Sequence, residues 1–138
     1  ELDRKKEVFS GFNLHVFGYM DNIDEFMEIA DCIVTKSGGL TDSEALSKRL
    51  PMIIIRPIPG QEERNSKILT DYGAAVRADT VRQAIYYIKD FISSPEKIIG
   101  MRARINLLAY PNAARTIARF AQELEGYRYE NRSGKEIS

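Results

Sequence analysis

The passage Lys36-Ser37-Gly38-Gly39-Leu40-Thr41-Asp42-Ser43-Glu44 holds the residues best suited to a charged ligand. Adjacent glycines let a backbone approach a ligand closely. A helix starting after them offers free N–H groups and a positive dipole end to a phosphate. The spacing is neither G-x-G-x-x-G nor a Walker A loop, so the usual dinucleotide and ATP readings lack support. A plain tight turn at Gly38-Gly39 explains the same residues, and spacing does not separate the two. Glu44 poses a second choice. Thr41-x-x-Glu44 has the form of a capping box, in which Glu44 satisfies the Thr41 backbone N–H. Its carboxylate is equally able to accept two hydrogen bonds from a ribose diol.

A second candidate is Pro57-Ile58-Pro59-Gly60-Gln61-Glu62-Glu63-Arg64-Asn65, where two prolines and a glycine stiffen a loop. Gln61, Glu62 and Asn65 at its exit are polar groups able to read sugar hydroxyls, although spacing alone favours an ordinary charged first turn. His15, the sole histidine, sits between Leu14 and Val16 and reads as structural. Cys32, in a buried strand, reads as inert. No cluster has metal-ligand spacing and no Ser/His/Asp arrangement is credible, so neither a resident metal nor a hydrolytic triad is expected. From Lys97 to Gln122 there are five basic residues and no acid. That stretch could touch an anionic membrane surface, but reads more simply as the solvated faces of two helices.

These residues are positioned by strands that alternate with helices. Asn13–Phe17, Cys32–Thr35, Met52–Arg56 and Ala74–Val76 read as strands, the third being an apolar run that fits a strand covered on both faces. Helices are expected from Asn22, as N-cap with Glu25 three residues on, to Ala30; from Asp42 to Lys48, stopped by Pro51; and from Gln61 to Tyr72. Three more follow: one after an Asp79-Thr80 cap, one from Ser94-Pro95, and one from Asn112 carrying Ile117, Phe120 and Leu124. Such alternation predicts a parallel sheet with right-handed crossovers, whose ligands bind beyond the carboxyl ends of the strands. Gly18–Asn22, Lys36–Thr41 and Arg56–Gln61 all leave strands on that side.

The whole composition narrows the class. With 138 residues the chain is one domain with a real core, and its 20 basic and 20 acidic residues cancel. That balance argues against a general nucleic-acid binder, which needs a clustered basic footprint. A hydrophobic content of 43% is too high for intrinsic disorder, and no apolar run nears the roughly 20 residues that span a bilayer. One cysteine forbids an internal disulfide and fits a reducing compartment. The chain begins at Glu1 without Met, and Glu1–Ser10 reads as part of a charged helix. A piece of a longer protein is therefore expected.

Taken in order, Gly18-Tyr19-Met20-Asp21-Asn22, Thr35-Lys36-Ser37-Gly38-Gly39-Leu40-Thr41, Ser43-Glu44-Ala45-Leu46, Leu50-Pro51-Met52-Ile53 and the Pro57–Asn65 passage resemble one family. They look like the C-terminal half of diacylglycerol glycosyltransferases, the plant monogalactosyldiacylglycerol synthases and bacterial processive diacylglycerol glucosyltransferases of glycosyltransferase family 28. The resemblance covers about residues 13 to 122. It implies an α/β fold: a Rossmann-like parallel sheet flanked by helices, the donor-binding C-terminal half of a GT-B enzyme. Residues 1–125 would form that domain, lacking its first strand and glycine-rich loop, with 126–138 a polar, frayed tail.

By the same resemblance, the ligand is a UDP-sugar, with no cofactor or metal required. Backbone around Tyr19 and Met20 would contact uracil, and Glu44 would take the ribose hydroxyls. Gly38, Gly39, Leu40 and Thr41 would face the diphosphate and sugar; Gln61, Glu62 and Asn65 would face the hexose. The expected whole enzyme is an inverting hexosyltransferase making glycolipid from diacylglycerol, cytoplasmic and peripheral to the membrane, with no nucleic-acid partner. Its catalytic base would lie in an N-terminal domain outside this chain, so the chain alone is expected to be inactive. Two rivals are an N-acetylglucosaminyltransferase acting on an undecaprenyl-linked acceptor and a non-catalytic sugar-nucleotide-binding subunit. The Ser37 position is often Pro in the glycolipid branch, a change not expected to alter the turn.

Overall fold

The computed structural model describes residues 15–110 and 112–133. The helix expected over Glu1–Ser10 lies outside them, as do Asn13 and Leu14 of the first expected strand. Strand β2 (Met52–Ile55) is the centre of the fold. It pairs in parallel with β1 (Ile33–Thr35), Ile33 opposite Met52 and Thr35 opposite Ile54. On its other side β3 (Ala75–Ala78) pairs in parallel, from Met52 opposite Ala75 to Ile55 opposite Ala78. A strand with both faces covered must be apolar throughout, and Met52, Ile53 and Ile54 are fully buried.

Side-chain alternation divides this strand between two cores. Met52 and Ile54 join Met27, Ala45, Leu69 and Ile105 on one face. Ile53 meets Ala78, Ala84, Phe91 and Met101 on the other. The first face is covered by α1 (Ile23–Ile29), α2 (Gly39–Ser47) and α3 (Gln61–Asp71), which carry Met27, Ala45 and Leu69. Helix α4 (Val81–Ser93) covers the second with Ala84 and Phe91. Helix α5 (Pro95–Leu108) reaches both, through Met101 and Ile105. Parallel neighbours require crossovers, and α2 and α3 supply them between β1 and β2 and between β2 and β3. The result is the expected Rossmann-like α/β arrangement, with sheet order β1-β2-β3.

Three expectations are corrected. His15, Val16 and Phe17 form no strand. They are exposed, the His15 ring stacking on Phe17 and Phe17 meeting Phe26 edge-on. A strand exists only through a paired neighbour, and among the described residues β1 pairs with β2 alone. Asn22 is the N-cap of α1, but its side chain caps no backbone N–H; Nδ2 instead donates to Glu25 Oε2 at 3.0 Å. Helix α6 (Ala113–Ser133) continues past Gly126. A glycine inside a helix costs about 1 kcal/mol, which strong helix formers on either side offset.

Two helix ends show how the loops are held. After α3, Gly73 donates to the Thr70 carbonyl and Ala74 to the Leu69 carbonyl, a Schellman closure with Gly73 at φ 70°. After α2, Arg49 donates to Leu46 and Leu50 to Ala45, the same closure with Arg49 at φ 56°. Left-handed backbone strains any residue with a Cβ, by about 1–2 kcal/mol. Gly73→Ala is therefore expected to destabilise by at least about 1 kcal/mol, the more because its Cβ would sit 2.7 Å from the Arg104 guanidinium. Arg49→Gly, by contrast, should stabilise by about 1 kcal/mol. Urea unfolding of both variants checks the pair, which must move in opposite directions.

Candidate functional site

Parallel strands end on one edge, so Thr35, Ile55 and Ala78 lie together at the carboxyl edge of the sheet. Three loops leave it and each runs directly into a helix start: Lys36–Gly38 into α2, Arg56–Gly60 into α3 and Asp79–Thr80 into α4. Arg56 joins the last two. Its backbone N–H donates to the Ala78 carbonyl at 3.1 Å and its Nε to the Asp79 carbonyl at 3.2 Å. Arg77 joins α3 to β3 by pairing with Glu63 and with Asp79, the latter at 2.7 Å. Those bonds, to Asp79 first and then Glu63, raise the Arg77 guanidinium above its usual range.

The three helix starts differ in what their N–H groups meet. Helix α4 is closed by a true capping box: Thr80 accepts from the Gln83 N–H at 3.2 Å, while Gln83 Oε1 accepts from Thr80 at 3.2 Å and from Asp79 at 2.7 Å. Helices α2 and α3 have glycine N-caps and no side-chain cap. In α2 the first intrahelical bond is Asp42 N–H to the Gly38 carbonyl, 2.8 Å. The N–H groups of Gly39, Leu40 and Thr41 precede it and have no partner among the described residues.

Gly38 and Gly39 are not explained by the protein around them. Gly38 is extended, with φ −148° and ψ 141°, a conformation open to any residue. A Cβ on either glycine would meet nothing within 4 Å. The tight turn that would require glycine is absent; the two residues leave open space where side chains would stand, at the helix start that carries the three donors. Gly60 is different: at φ 115° and ψ −123° its own backbone demands glycine.

Glu44 is freed by the same helix start. Because Gly38 takes the N-cap, α2 begins three residues earlier than the Asp42 expected from the sequence, and Thr41 falls inside its first turn. The Thr41–Glu44 capping box is therefore not formed. Glu44 lies exposed, and its carboxylate has no hydrogen bond or ion pair among the described residues. In the second loop Glu62 is already engaged, its Oε2 accepting from the Ile58 N–H at 2.9 Å. Gln61 is exposed and Asn65 half-buried beside it. Leu40 is 83% and Tyr19 95% exposed, whereas Met20 is half-buried. Tyr19 and Met20 lie in the loop entering α1. The short link Ala30–Cys32 joins that helix to the start of β1, so a helix running back along the sheet opens at the carboxyl edge.

Sequence reasoning missed a buried pair beside these donors. Ser37 Oγ donates to Asp42 Oδ2 at 2.7 Å, and both residues are buried. Asp42 Oδ1 has no partner among the described residues. The signal was the spacing of N′ and N4 across a helix start, once that start is set at Gly39.

The remaining candidates stay outside the site. Burial, and then Asp31, push the Cys32 thiol up, in keeping with an inert residue. Lys97 pairs with Asp90, Arg102 with Asp31 and Arg119 with Glu123, so much of the basic stretch is spent on neighbours. Two cavities, of about 680 Å³ beside Cys32 and Ile98 and about 490 Å³ beside Gly73 and Arg104, touch none of the three loops. The carboxyl-edge site is an open surface. Among the described residues no group of acids, His and Cys is placed to hold a metal, and no helix is long and apolar enough to cross a membrane.

Residues 1–97 match the glycosyltransferase family 28 C-terminal domain. The chain is similar to a processive diacylglycerol beta-glucosyltransferase of Bacillus pumilus (strain SAFR-032), 33% identical over 75% of this chain and 27% of that protein. It is similar also to a processive diacylglycerol beta-glucosyltransferase of Bacillus subtilis (strain 168), 32% identical over 80% of this chain and 29% of that one. It thus spans less than a third of the length of these relatives. A crystal structure of the glycotransferase of kitacinnamycin aligns with 71% of this chain and 27% of its own, at 25% identity and a TM-score of 0.48.

Proposed function

This chain belongs to glycosyltransferase family 28, as a C-terminal domain of that family, and from that premise we propose that it binds the UDP-sugar donor of an inverting hexosyltransferase that glycosylates diacylglycerol. The observation that carries the reading is the uncapped start of α2. Three N–H groups without a partner among the described residues, on Gly39, Leu40 and Thr41, lie at a helix start where two otherwise unexplained glycines leave space open. A diphosphate fits that chemistry: each N–H donates to an anionic oxygen, and the helix dipole adds attraction for negative charge.

One turn further on, Glu44 presents an exposed carboxylate to the ribose hydroxyls. The loop around Tyr19 and Met20 takes the uracil, and Gln61 and Asn65, at the start of α3, meet the hexose. Glu62 contributes mainly by holding the Ile58 backbone, and so the loop from which Gln61 projects.

In the transfer, a hydroxyl oxygen of the lipid forms a bond to the anomeric carbon as the bond from that carbon to the diphosphate oxygen breaks. The hydroxyl proton passes to a base supplied from outside this chain. The electron pair of the broken bond stays on UDP, where the α2 N–H groups stabilise the growing charge. The relatives' printed activity, glucosyl transfer to diacylglycerol, supports the acceptor class.

Calorimetry of the purified chain with UDP, followed by displacement with UDP-glucose, UDP-galactose and UDP-N-acetylglucosamine, tests this. Micromolar to millimolar UDP binding, with the two hexose donors displacing UDP better than the N-acetylated one, is the expected result. No UDP binding removes the reading. Preference for UDP-N-acetylglucosamine moves it to the aminosugar-transferring enzymes.

A further inference from the structure

Resting on the diphosphate reading of the α2 start, we propose that Ser37 and Asp42 form a polar staple that sets the angle at which the chain enters Gly38, and thereby the affinity for the diphosphate. With Gly38 as N-cap, Ser37 is N′ and Asp42 is N4. These two positions commonly touch across a helix start through apolar side chains, and that contact fixes the entry angle of the chain. Here the contact is a hydrogen bond of 2.7 Å between residues with relative exposures of 1% and 6%.

An apolar contact can slide; a short hydrogen bond is directional and constrains the Ser37 side chain and the backbone beneath it. The segment it constrains has little else to hold it. Gly38 and Gly39 have no side chains and open space around their Cα atoms. Their carbonyls are held from the helix side, Gly38 by the Asp42 N–H at 2.8 Å and Gly39 by Ser43 Oγ at 2.7 Å, which leaves the entry from Ser37 to the staple. The choice of acid is unfavourable by itself. One carboxylate oxygen, Asp42 Oδ1, is buried without a partner among the described residues, and the carboxylate lies near where a diphosphate would sit. An apolar pair would avoid both penalties, so what the polar pair adds is direction. Ser37 and Asp42 are positioning residues; neither is required to touch the ligand.

The proposal separates the hydrogen bond from the charge and from bulk stability. UDP affinity is measured by calorimetry on the whole chain, at a temperature where circular dichroism shows every variant folded. Ser37→Ala and Asp42→Ala should each weaken UDP roughly ten-fold, and the double variant no more than either alone. Asp42→Asn keeps an oxygen to accept from Ser37 and removes the charge, so its affinity should equal or exceed that of the wild type. The apolar staple Ser37→Val with Asp42→Leu should recover melting temperature without recovering affinity. Wild-type affinity in Ser37→Ala and Asp42→Ala, or in the apolar pair, overturns the staple while leaving the site intact. Failure of the unaltered chain to bind UDP overturns the site itself, and the staple's role with it. Should the alanine variants not fold, Asp42→Asn against the apolar pair still decides: equal affinities overturn the proposal.

Discussion

Glu44→Ala is expected to weaken UDP binding by about 10- to 150-fold, corresponding to about 1.5–3 kcal/mol for hydrogen bonds to a charged acceptor. The same substitution should leave the unfolding free energy within about 0.5 kcal/mol, because an exposed helix side chain with no partner among the described residues contributes little to the fold. The pairing of these results is the test. A capping glutamate would behave in the opposite way, losing about 1 kcal/mol of stability with affinity unchanged. The helix start at Gly38 already takes Thr41 out of the cap, so stability loss is not the expected outcome. Glu44→Gln refines it: the amide can still accept one hydrogen bond and donate another, but without charge, so an intermediate affinity is expected. Unchanged UDP affinity in both variants would remove Glu44 from the site.

Ile53→Ala should be the most damaging single core substitution, destabilising by about 2–5 kcal/mol. Ile53 is fully buried in the central strand and faces Ala78, Ala84, Phe91 and Met101. Two of those neighbours are alanines, whose short side chains cannot move into the space, so little of the cavity collapses. Against a usual stability of about 5–15 kcal/mol, that loss is a large share. Ile53→Val removes one methyl and should cost only about 0.5–1.5 kcal/mol. Thermal and urea unfolding read the difference. UDP affinity measured well below the melting temperature should be unaffected, because Ile53 holds the sheet and not the loops. A change in affinity without a change in stability would place Ile53 differently from what its burial indicates.

Much of this fold is legible in the chain before any coordinates. Met52-Ile53-Ile54-Ile55 is apolar without alternation, and it proves to be the strand covered on both faces. The Asp79-Thr80 cap is where α4 begins, and Ser94-Pro95 opens α5. Local chemistry decides these features. Proline and threonine act on their nearest neighbours, and a run of large aliphatics has few alternatives to complete burial.

The candidate site was legible in its residues but not in its geometry. That Gly38–Glu44 and Gln61–Asn65 share one edge follows from alternation, since parallel strands must deliver their loops to one side; Tyr19–Met20 reach that edge through the direction of α1 and not from a strand. Sequence left open whether Gly38-Gly39 was a turn and whether Glu44 was a cap. Both depend on where α2 begins, and the sequence offered Thr41-x-x-Glu44 as a complete local solution. The tertiary structure chose another. Ser37 and Asp42 are drawn into the interior, their hydrogen bond closes across the helix start, and the N-cap moves to a glycine that has no side chain to cap with. The His15–Phe17 run shows the same limit from the other direction. Its pattern suits a strand, but a strand's hydrogen bonds belong to its neighbour, and the described residues give it none. What the sequence determined by itself was the set of elements and the edge to which their loops converge, because those depend on periodicity and near-neighbour chemistry. Only the tertiary structure decided which N–H groups and which carboxylate remain free, because that is settled by partners distant in the chain or across a helix start.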